Sequence, residues 1–84
     1  MVEGTLYSRL MDVAEKLGVE VRTAPVEPPG GAYTLRGRTV VVVSREATDE
    51  ERTDLLARSL AGLPGLDGIF LLPEVRERLD AARR

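Results

Sequence analysis

The chain has 84 residues, of which 43% are hydrophobic and 31% are charged, and its formal net charge is −2. This length and composition predict one small globular domain and argue against a disordered or membrane-spanning protein. The sequence contains no cysteine and no histidine, which excludes disulfides, thiol nucleophiles, imidazole bases and the usual transition-metal ligands.

The expected location and source follow from the same composition. The sequence shows neither the pattern of a secretory leader nor an apolar run near the roughly 20 residues that span a bilayer. We therefore expect a cytoplasmic protein without membrane contact. Eleven arginines stand against the single Lys16, and asparagine and glutamine are absent. Abundant charge with few thermolabile amides is typical of thermophiles, although a GC-rich genome also favours arginine codons.

The first predicted elements are a helix and a strand. Gly18 follows apolar residues at helical spacing, so we expect it to end a helix that begins near residue 3. Residues 19–23 alternate apolar and polar side chains, which predicts a strand with one solvent-exposed face. Residues 24–31 contain three prolines and two glycines and predict a loop that joins two strands. The buried face of the helix is expected to carry Leu6, Leu10, Val13, Ala14 and Leu17.

A β-hairpin is predicted next. Residues 32–35 and 38–44 read as strands joined by Arg36-Gly37, a pair that favours a two-residue turn. The second strand contains four consecutive valines, which favours a central strand covered on both faces, with the helices packed against it. This turn places Tyr33 opposite Val40. One face is predicted to carry Tyr33, Leu35, Val40 and Val42, and the other Ala32, Thr34, Val41 and Val43.

The second helix has clear signals at both ends. Thr48 is followed three residues later by Glu51, which predicts a capping box at the helix start. Gly62 and Pro64 are typical of residues that end a helix. The buried face is expected to carry Leu55, Leu56, Ser59, Leu60 and Leu63.

The last quarter of the chain leaves two readings open for one segment. Residues 69–72 are a short apolar run that predicts either a fourth strand or an extended segment packed on the core. As a strand beside the valines, this run would make the preceding helix a right-handed crossover. Pro73 is suited to begin a last helix. Its inner face is expected to carry Val75, Leu79 and Ala82, and its ion pairs are expected to be Glu74 with Arg78 and Asp80 with Arg84.

These elements predict a single α+β domain over residues 1–84. We expect a small sheet of three or four strands packed with three helices, in the order α-β-β-β-α-(β)-α.

An uneven charge distribution identifies a candidate anion-binding surface. Residues 21–45 carry four arginines against one glutamate. A planar guanidinium matches phosphate oxygens, and a nearby tyrosine can stack on a base. The other interpretation is that arginine is the ordinary surface cation of this composition, since nucleic-acid-binding domains usually have an excess of positive charge. The candidate contacts are Arg22, Arg36, Arg38, Arg45 and Tyr33.

No catalytic, cofactor-binding or metal-binding residue is predicted. The acidic residues of the second helix fit dipole and capping roles better than a metal site. The glycines form no phosphate-binding pattern, so we expect no nucleotide cofactor. Hydroxyl nucleophiles need a base, and the sequence lacks histidine. The acidic residues are Asp49, Glu50, Glu51 and Asp54.

A series of motifs runs through the last two thirds of the chain: Gly30-Gly31, Leu35-Arg36-Gly37-Arg38, the valine strand, Asp49-Glu50-Glu51-Arg52, Leu55-Leu56-Ala57 and Ile69-Phe70-Leu71-Leu72-Pro73-Glu74-Val75-Arg76. Through these motifs the sequence resembles a family of small uncharacterised bacterial proteins. The resemblance spans about residues 30–80 and implies the fold without an activity. A second likeness is to the strand-then-helix core of small zinc peptidases, whose helix carries H-E-x-x-H. This chain has Leu55-Leu56-Ala57-Arg58-Ser59-Leu60 there, which implies at most a catalytically inactive relative.

The sequence favours a non-enzymatic interaction or structural module that self-associates as a homodimer. The reason is a small core beside apolar segments that three short helices do not fully cover. The competing interpretation is a monomer whose helices cover everything, and an unidentified protein partner is also compatible. The alternative function is nucleic-acid or phosphate-ligand binding through the arginine-bearing hairpin. The candidate interface residues are Val41, Val43, Ile69, Phe70 and Leu72.

Overall fold

Helices flank a small sheet in the part of the chain that the structure describes. The computed structural model describes residues 2–83, with side chains described from residue 6 onward. Within that range three helices and three strands follow the predicted order, which confirms the α+β class. The elements are α1 (Val2–Lys16), β1 (Glu20–Ala24), β2 (Gly30–Leu35), β3 (Arg38–Ser44), α2 (Asp49–Ala61), a 3₁₀ turn (Leu66–Gly68) and α3 (Pro73–Ala82).

The sheet is mixed, with β3 at its centre. The strand order is β1-β3-β2, in which β1 runs parallel to β3 and β2 runs antiparallel to it. The central position of the valine strand is confirmed. So is the two-residue hairpin, because Leu35 pairs with Arg38 and Tyr33 pairs with Val40. Arg36 and Gly37 have φ values of 55° and 79°, which are typical of the type I′ turn that matches the strand twist.

Among the described residues, helices cover one face of the sheet only, so the prediction of two covered faces is wrong. Val41 and Val43 are 0% and 1% exposed and pack among leucines of α1, α2 and α3. Val40 and Val42 point to the other side, and within residues 2–83 no helix packs there. Val40 is still only 2% exposed, because Glu20 and Tyr33 flank it on the neighbouring strands.

Residues 69–72 form the extended segment, not the fourth strand. Over residues 2–83 the sheet contains three strands, so the right-handed crossover that a fourth strand would have required does not form. Leu71 is 8% exposed and belongs to the core, whereas Phe70 is 81% exposed. Pro73 begins α3 as predicted, and Val75 and Leu79 are buried on its inner face.

The ion pairs of α3 join helices instead of supporting α3 alone. Glu74 lies 3.5 Å from Arg9 of α1, and Arg78 lies 3.7 Å from Asp54 of α2. The predicted pair of Glu74 with Arg78 is therefore replaced by contacts between elements. The predicted pair of Asp80 with Arg84 lies outside the described residues.

The capping box of α2 is confirmed. The Thr48 hydroxyl accepts a hydrogen bond from the Glu51 backbone N–H at 3.1 Å, and the Thr48 N–H donates to the Glu51 carboxylate at 2.8 Å. Both bonds satisfy donors that have no partner within the helix.

We expect Thr48→Ala to lower the free energy of unfolding by about 1 kcal/mol, because it removes the oxygen that caps α2. Thr48→Ser keeps that oxygen and should retain most of the stability. Urea denaturation of both variants provides the measurement. An equal loss for serine and alanine would show that the hydroxyl bond is not the source of the stabilisation.

The loop after β1 crosses the carboxyl end of β3 and thereby carries the chain from one sheet edge to the other. The Arg45 N–H donates to the carbonyl of Ala24, and the Ser44 N–H donates to that of Pro29. The Ser44 hydroxyl, which is fully buried, donates to the carbonyl of Val26 at 2.7 Å. These bonds hold residues 25–29 over the end of β3 and fix where β2 begins.

Candidate functional site

The sheet face that no described helix covers is the first candidate surface, and we call it the open face. It carries exposed apolar side chains next to charged ones: Tyr33 is 45% exposed and Leu35 is 52% exposed. Large exposed apolar side chains that lie side by side indicate an interaction surface more often than scattered ones do. The strand register places Glu20, Arg22, Tyr33, Leu35, Arg38, Val40 and Val42 on the open face.

The structure brings only part of the candidate arginine set together. Arg22 and Arg38 share the open face with Tyr33, and Arg36 lies at the hairpin tip. Arg45 follows the opposite end of β3, seven residues and therefore roughly 23 Å from Arg38. The predicted set is therefore not one patch.

Two of these arginines are bound by groups of the same chain. Arg22 forms an ion pair with Glu20, and the hydrogen bond that its Nε donates to that carboxylate raises the pKa of Arg22. The Arg38 Nε donates to the carbonyl of Gly18 at 2.9 Å. Both contacts occupy the guanidinium groups and reduce their availability for a phosphate.

The outer edge of β2 is the second candidate surface, and we call it the β2 edge. Alternate residues of an edge strand point their N–H and C=O groups away from the sheet. Since Ser44 bonds to Pro29 and Leu35 closes the hairpin with Arg38, the odd-numbered residues bond to β3. The outward groups therefore belong to Gly30, Ala32 and Thr34. Residues 30–35 carry no charge, and residues 32–35 are exposed.

A shallow depression of about 420 Å³ lies beside the β2 edge, where two glycines leave space. Gly30 has a φ of +114°, and a Cβ there would overlap the carbonyl oxygen of Val42. A side chain at position 31 meets no such obstacle, since the φ of Gly31 is not positive and no atom beyond its two chain neighbours lies within 4 Å of the position of a Cβ. The depression is lined by Val26, Glu27, Gly30, Gly31, Ala32, Tyr33 and Val42.

The predicted interface residues fall into two groups. Val41 and Val43 lie in the helix-covered core, so their assignment to an interface is wrong: buried side chains cannot contact another molecule. Phe70 and Leu72 are 81% and 37% exposed beside a groove of about 250 Å³ next to α1, and Ile69 is half-buried against the core. The groove is flanked by Arg9, Asp12 and Lys16, so charged side chains stand at its border.

Comparisons with protein-family models, with curated proteins and with solved structures found no match. The resemblance to small bacterial proteins and the likeness to zinc peptidases therefore stay predictions.

The acidic residues of α2 have structural partners. Glu51 caps the helix, and Asp54 accepts a hydrogen bond from Arg58 at 2.9 Å. Within the described range no group of three or more acidic residues is arranged to hold a metal ion. In residues 2–83 no helix has both the length and the apolar character needed to cross a membrane.

Tyr7 on α1 is a half-buried tyrosine whose pKa the fold changes. Burial raises the pKa of its phenol above 10.0, and the neighbouring Arg52 partly offsets this effect. The shift moves Tyr7 away from neutrality, so the phenol is a weaker acid in the folded protein than in water.

Absorbance titration of a Tyr33→Phe variant should report Tyr7 alone, because the chain has two tyrosines. We expect the folded variant to titrate at higher pH than the same variant in denaturant. Since the folded state holds the proton more tightly, stability present below pH 10 should be lost as the pH rises through the folded pKa. A midpoint equal to that of the denatured variant would contradict burial of the phenol.

Sequence reasoning missed the β2 edge and the open space at Gly31. The absence of charge in residues 30–35 was a visible signal, because natural edge strands usually carry charges that prevent pairing. The missing charge indicates an interaction surface only if β2 is known to be an edge strand. The position of β2 in turn depends on the path of the loop over residues 25–29.

Proposed function

We propose that this protein is a small non-enzymatic interaction module that self-associates through the β2 edge and the adjoining open face. The observation that carries the proposal is the β2 edge itself. It presents the outward backbone groups of three residues, and its exposed side chains carry no charge.

Edge strands of this kind are unusual in proteins that stay monomeric. Charged side chains, prolines and bulges normally prevent an edge from pairing with another strand. Here such features stand only at the two ends, where Pro28-Pro29 precede β2 and Arg36 follows it. Between them six residues can pair with another strand without placing a charge in the interface.

The exposed apolar side chains next to this edge support the same surface. Tyr33 and Leu35 lie on β2, and Val26, which is 42% exposed, lines the depression beside it. Each backbone hydrogen bond across the edge contributes little to the free energy of association, because it replaces hydrogen bonds to water. Burial of the apolar side chains adds a further favourable contribution. Phe70 offers apolar area but no such row of backbone groups.

Light scattering over a concentration series, at low and moderate salt, provides the test. We expect a mass near twice 9.2 kDa at high concentration. Thr34→Pro removes one outward N–H and should shift the protein to monomer, because proline is tolerated on an edge only where no bond is needed. Phe70→Ser is the matched control and should leave the dimer intact.

The outcomes separate the surfaces. Loss of the dimer in Phe70→Ser but not in Thr34→Pro would assign self-association to the groove beside α1. A mass of 9.2 kDa at all concentrations would refute self-association. Circular dichroism of each variant confirms that the fold is kept.

Nucleic-acid or phosphate binding is the second candidate function. It is favoured by the register, which places Arg22, Arg38 and Tyr33 on one exposed face. Binding of a single-stranded oligonucleotide should then weaken steeply with salt and should be lost in an Arg36→Ala/Arg38→Ala double variant. Absence of binding at low salt would refute this function. Binding that is insensitive to salt would do the same.

A further inference from the structure

We infer that two copies of the chain pair through β2 in one antiparallel register, with Ala32 opposite Ala32 of the second copy. The two sheets then form one six-stranded sheet, and the Tyr33 ring of each copy fills the glycine-lined depression of the other. The inference rests on the proposed self-association and specifies its geometry.

The first step is the direction of the backbone groups. Gly30, Ala32 and Thr34 point their N–H and C=O groups to the β2 edge, because their odd-numbered neighbours bond to β3. A second strand can hydrogen-bond only to those three residues. Two identical strands related by a two-fold axis must pair antiparallel if they pair side by side in the sheet plane.

The second step is the choice of register. With Ala32 opposite Ala32, Gly30 of each copy lies opposite Thr34 of the other, so all three outward residues find partners. This arrangement makes about six backbone hydrogen bonds. Two other registers place Tyr33 opposite Tyr33 or Thr34 opposite Thr34. In both, Arg36 of the turn lies opposite an outward residue of the other copy, and fewer backbone hydrogen bonds form.

The third step is the fit of the side chains on the open face. In this register Gly31 of one copy lies opposite Tyr33 of the other. Apart from the adjoining residues of the strand, no atom of the chain lies within 4 Å of a Cβ at Gly31, and the depression beside it measures about 420 Å³. An aromatic ring over a strand glycine is a known way to compensate for the missing side chain.

Neither the backbone angles nor the surroundings of residue 31 within one copy require glycine, and this supports the fit. Glycine inside a strand lowers stability by about 0.5–1 kcal/mol relative to alanine. Gly30 needs that residue type for its backbone, but Gly31 does not. A ring that belongs to a second copy provides the missing reason.

Charge is compatible with the pairing. Residues 30–35 are uncharged, so no like charges oppose each other along the strands. At each end of the pair, Arg36 of one copy lies beside residues 27–28 of the other. Glu27 in that segment has the opposite charge to Arg36, and this complementarity favours the antiparallel register.

Disulfide formation tests the register directly, because the chain has no cysteine. Ala32→Cys places two thiols directly opposite each other, at a Cα separation near 5.5 Å that a disulfide spans. Thr34→Cys is the matched control, because it is exposed on the same strand face but is offset by four residues from its own copy. Under mild oxidation we expect a covalent dimer for Ala32→Cys and at least about tenfold less for Thr34→Cys.

Gly31→Val tests the fit of Tyr33. Valine suits a strand, so the monomer should fold with equal or greater stability. The side chain would occupy the place of the second Tyr33 and should raise the dimer dissociation constant at least about tenfold. A destabilised monomer with an unchanged dissociation constant would overturn this role for Gly31.

The results distinguish the register from self-association itself. A dimer by light scattering whose Thr34→Cys variant cross-links faster than Ala32→Cys would overturn the register and leave the proposed function. A dimer that neither cysteine cross-links would place the interface elsewhere. A monomer at every concentration would overturn both.

Discussion

Replacing Val41 with aspartate should unfold the domain, whereas the same replacement at Val42 should leave it folded. The two valines are neighbours on β3 and point to opposite faces of the sheet. Val41 is 0% exposed among the side chains of the helices, and Val42 is half-buried on the open face.

The size of the effect follows from the cost of burying charge. A carboxylate buried without a partner has its pKa raised by about 3–5 units, and keeping it protonated at pH 7 costs about 4 kcal/mol, before the lost packing of the valine side chain is counted. A small domain has a total free energy of unfolding of about 5–15 kcal/mol, and a chain of this size lies toward the lower end. At position 42 the carboxylate reaches water and lies opposite Arg22 of β1, so we expect a loss of about 1 kcal/mol.

Circular dichroism and urea denaturation of the two variants at pH 7 provide the measurement. Val42 is the matched control, since residue type, strand and substitution are the same. Unfolding of both variants would mean that both faces of β3 are buried, as the valine run alone predicts. Two folded variants of equal stability would contradict the packing of Val41 against the helices.

The elements whose formation depends on local contacts could be predicted from the sequence. The capping box needs only Thr48 and Glu51, which are three residues apart. The hairpin register needs only the Arg36-Gly37 turn, because the loop length fixes which residues face each other. In both cases the interacting residues are close in the chain, so the sequence contains the whole interaction.

The coverage of the sheet could not be predicted, because it depends on distant contacts. Four consecutive valines place the same residue type on both faces of the strand, so the sequence predicts that both faces are buried. The structure buries Val41 under helices but Val40 only under strand neighbours. Because Val41 and Val43 both lie under the helices, they are unsuited to an interface.

The candidate site was predictable only in part for the same reason. Tyr33 and Arg38 were expected near each other, since the hairpin alone brings them together. The approach of Arg22 required knowledge that β1 lies beside β3, and the separation of Arg45 required knowledge of the loop path. Whether β2 is an edge or a central strand is likewise set by strand order, which no local pattern records.

Replacing Gly30 with alanine should destabilise the protein strongly, whereas Gly31→Ala should not. Gly30 begins β2 with a φ of +114°, a region that residues with a Cβ rarely adopt. A Cβ there would also overlap the backbone carbonyl of Val42 on the central strand, which cannot move without breaking the sheet. We expect a loss of about 3 kcal/mol from backbone strain and this overlap together.

Gly31→Ala is the matched control one residue away. Its backbone accepts a side chain and its surroundings are open, so we expect a change between zero and a gain of about 1 kcal/mol. Urea denaturation at concentrations below dimer formation compares the monomers alone. Equal stability of the two variants would contradict the close approach of Gly30 to Val42. Because that approach fixes where β2 meets β3, it also fixes which backbone groups reach the β2 edge. A loss confined to Gly30→Ala therefore supports the arrangement on which the proposed pairing depends.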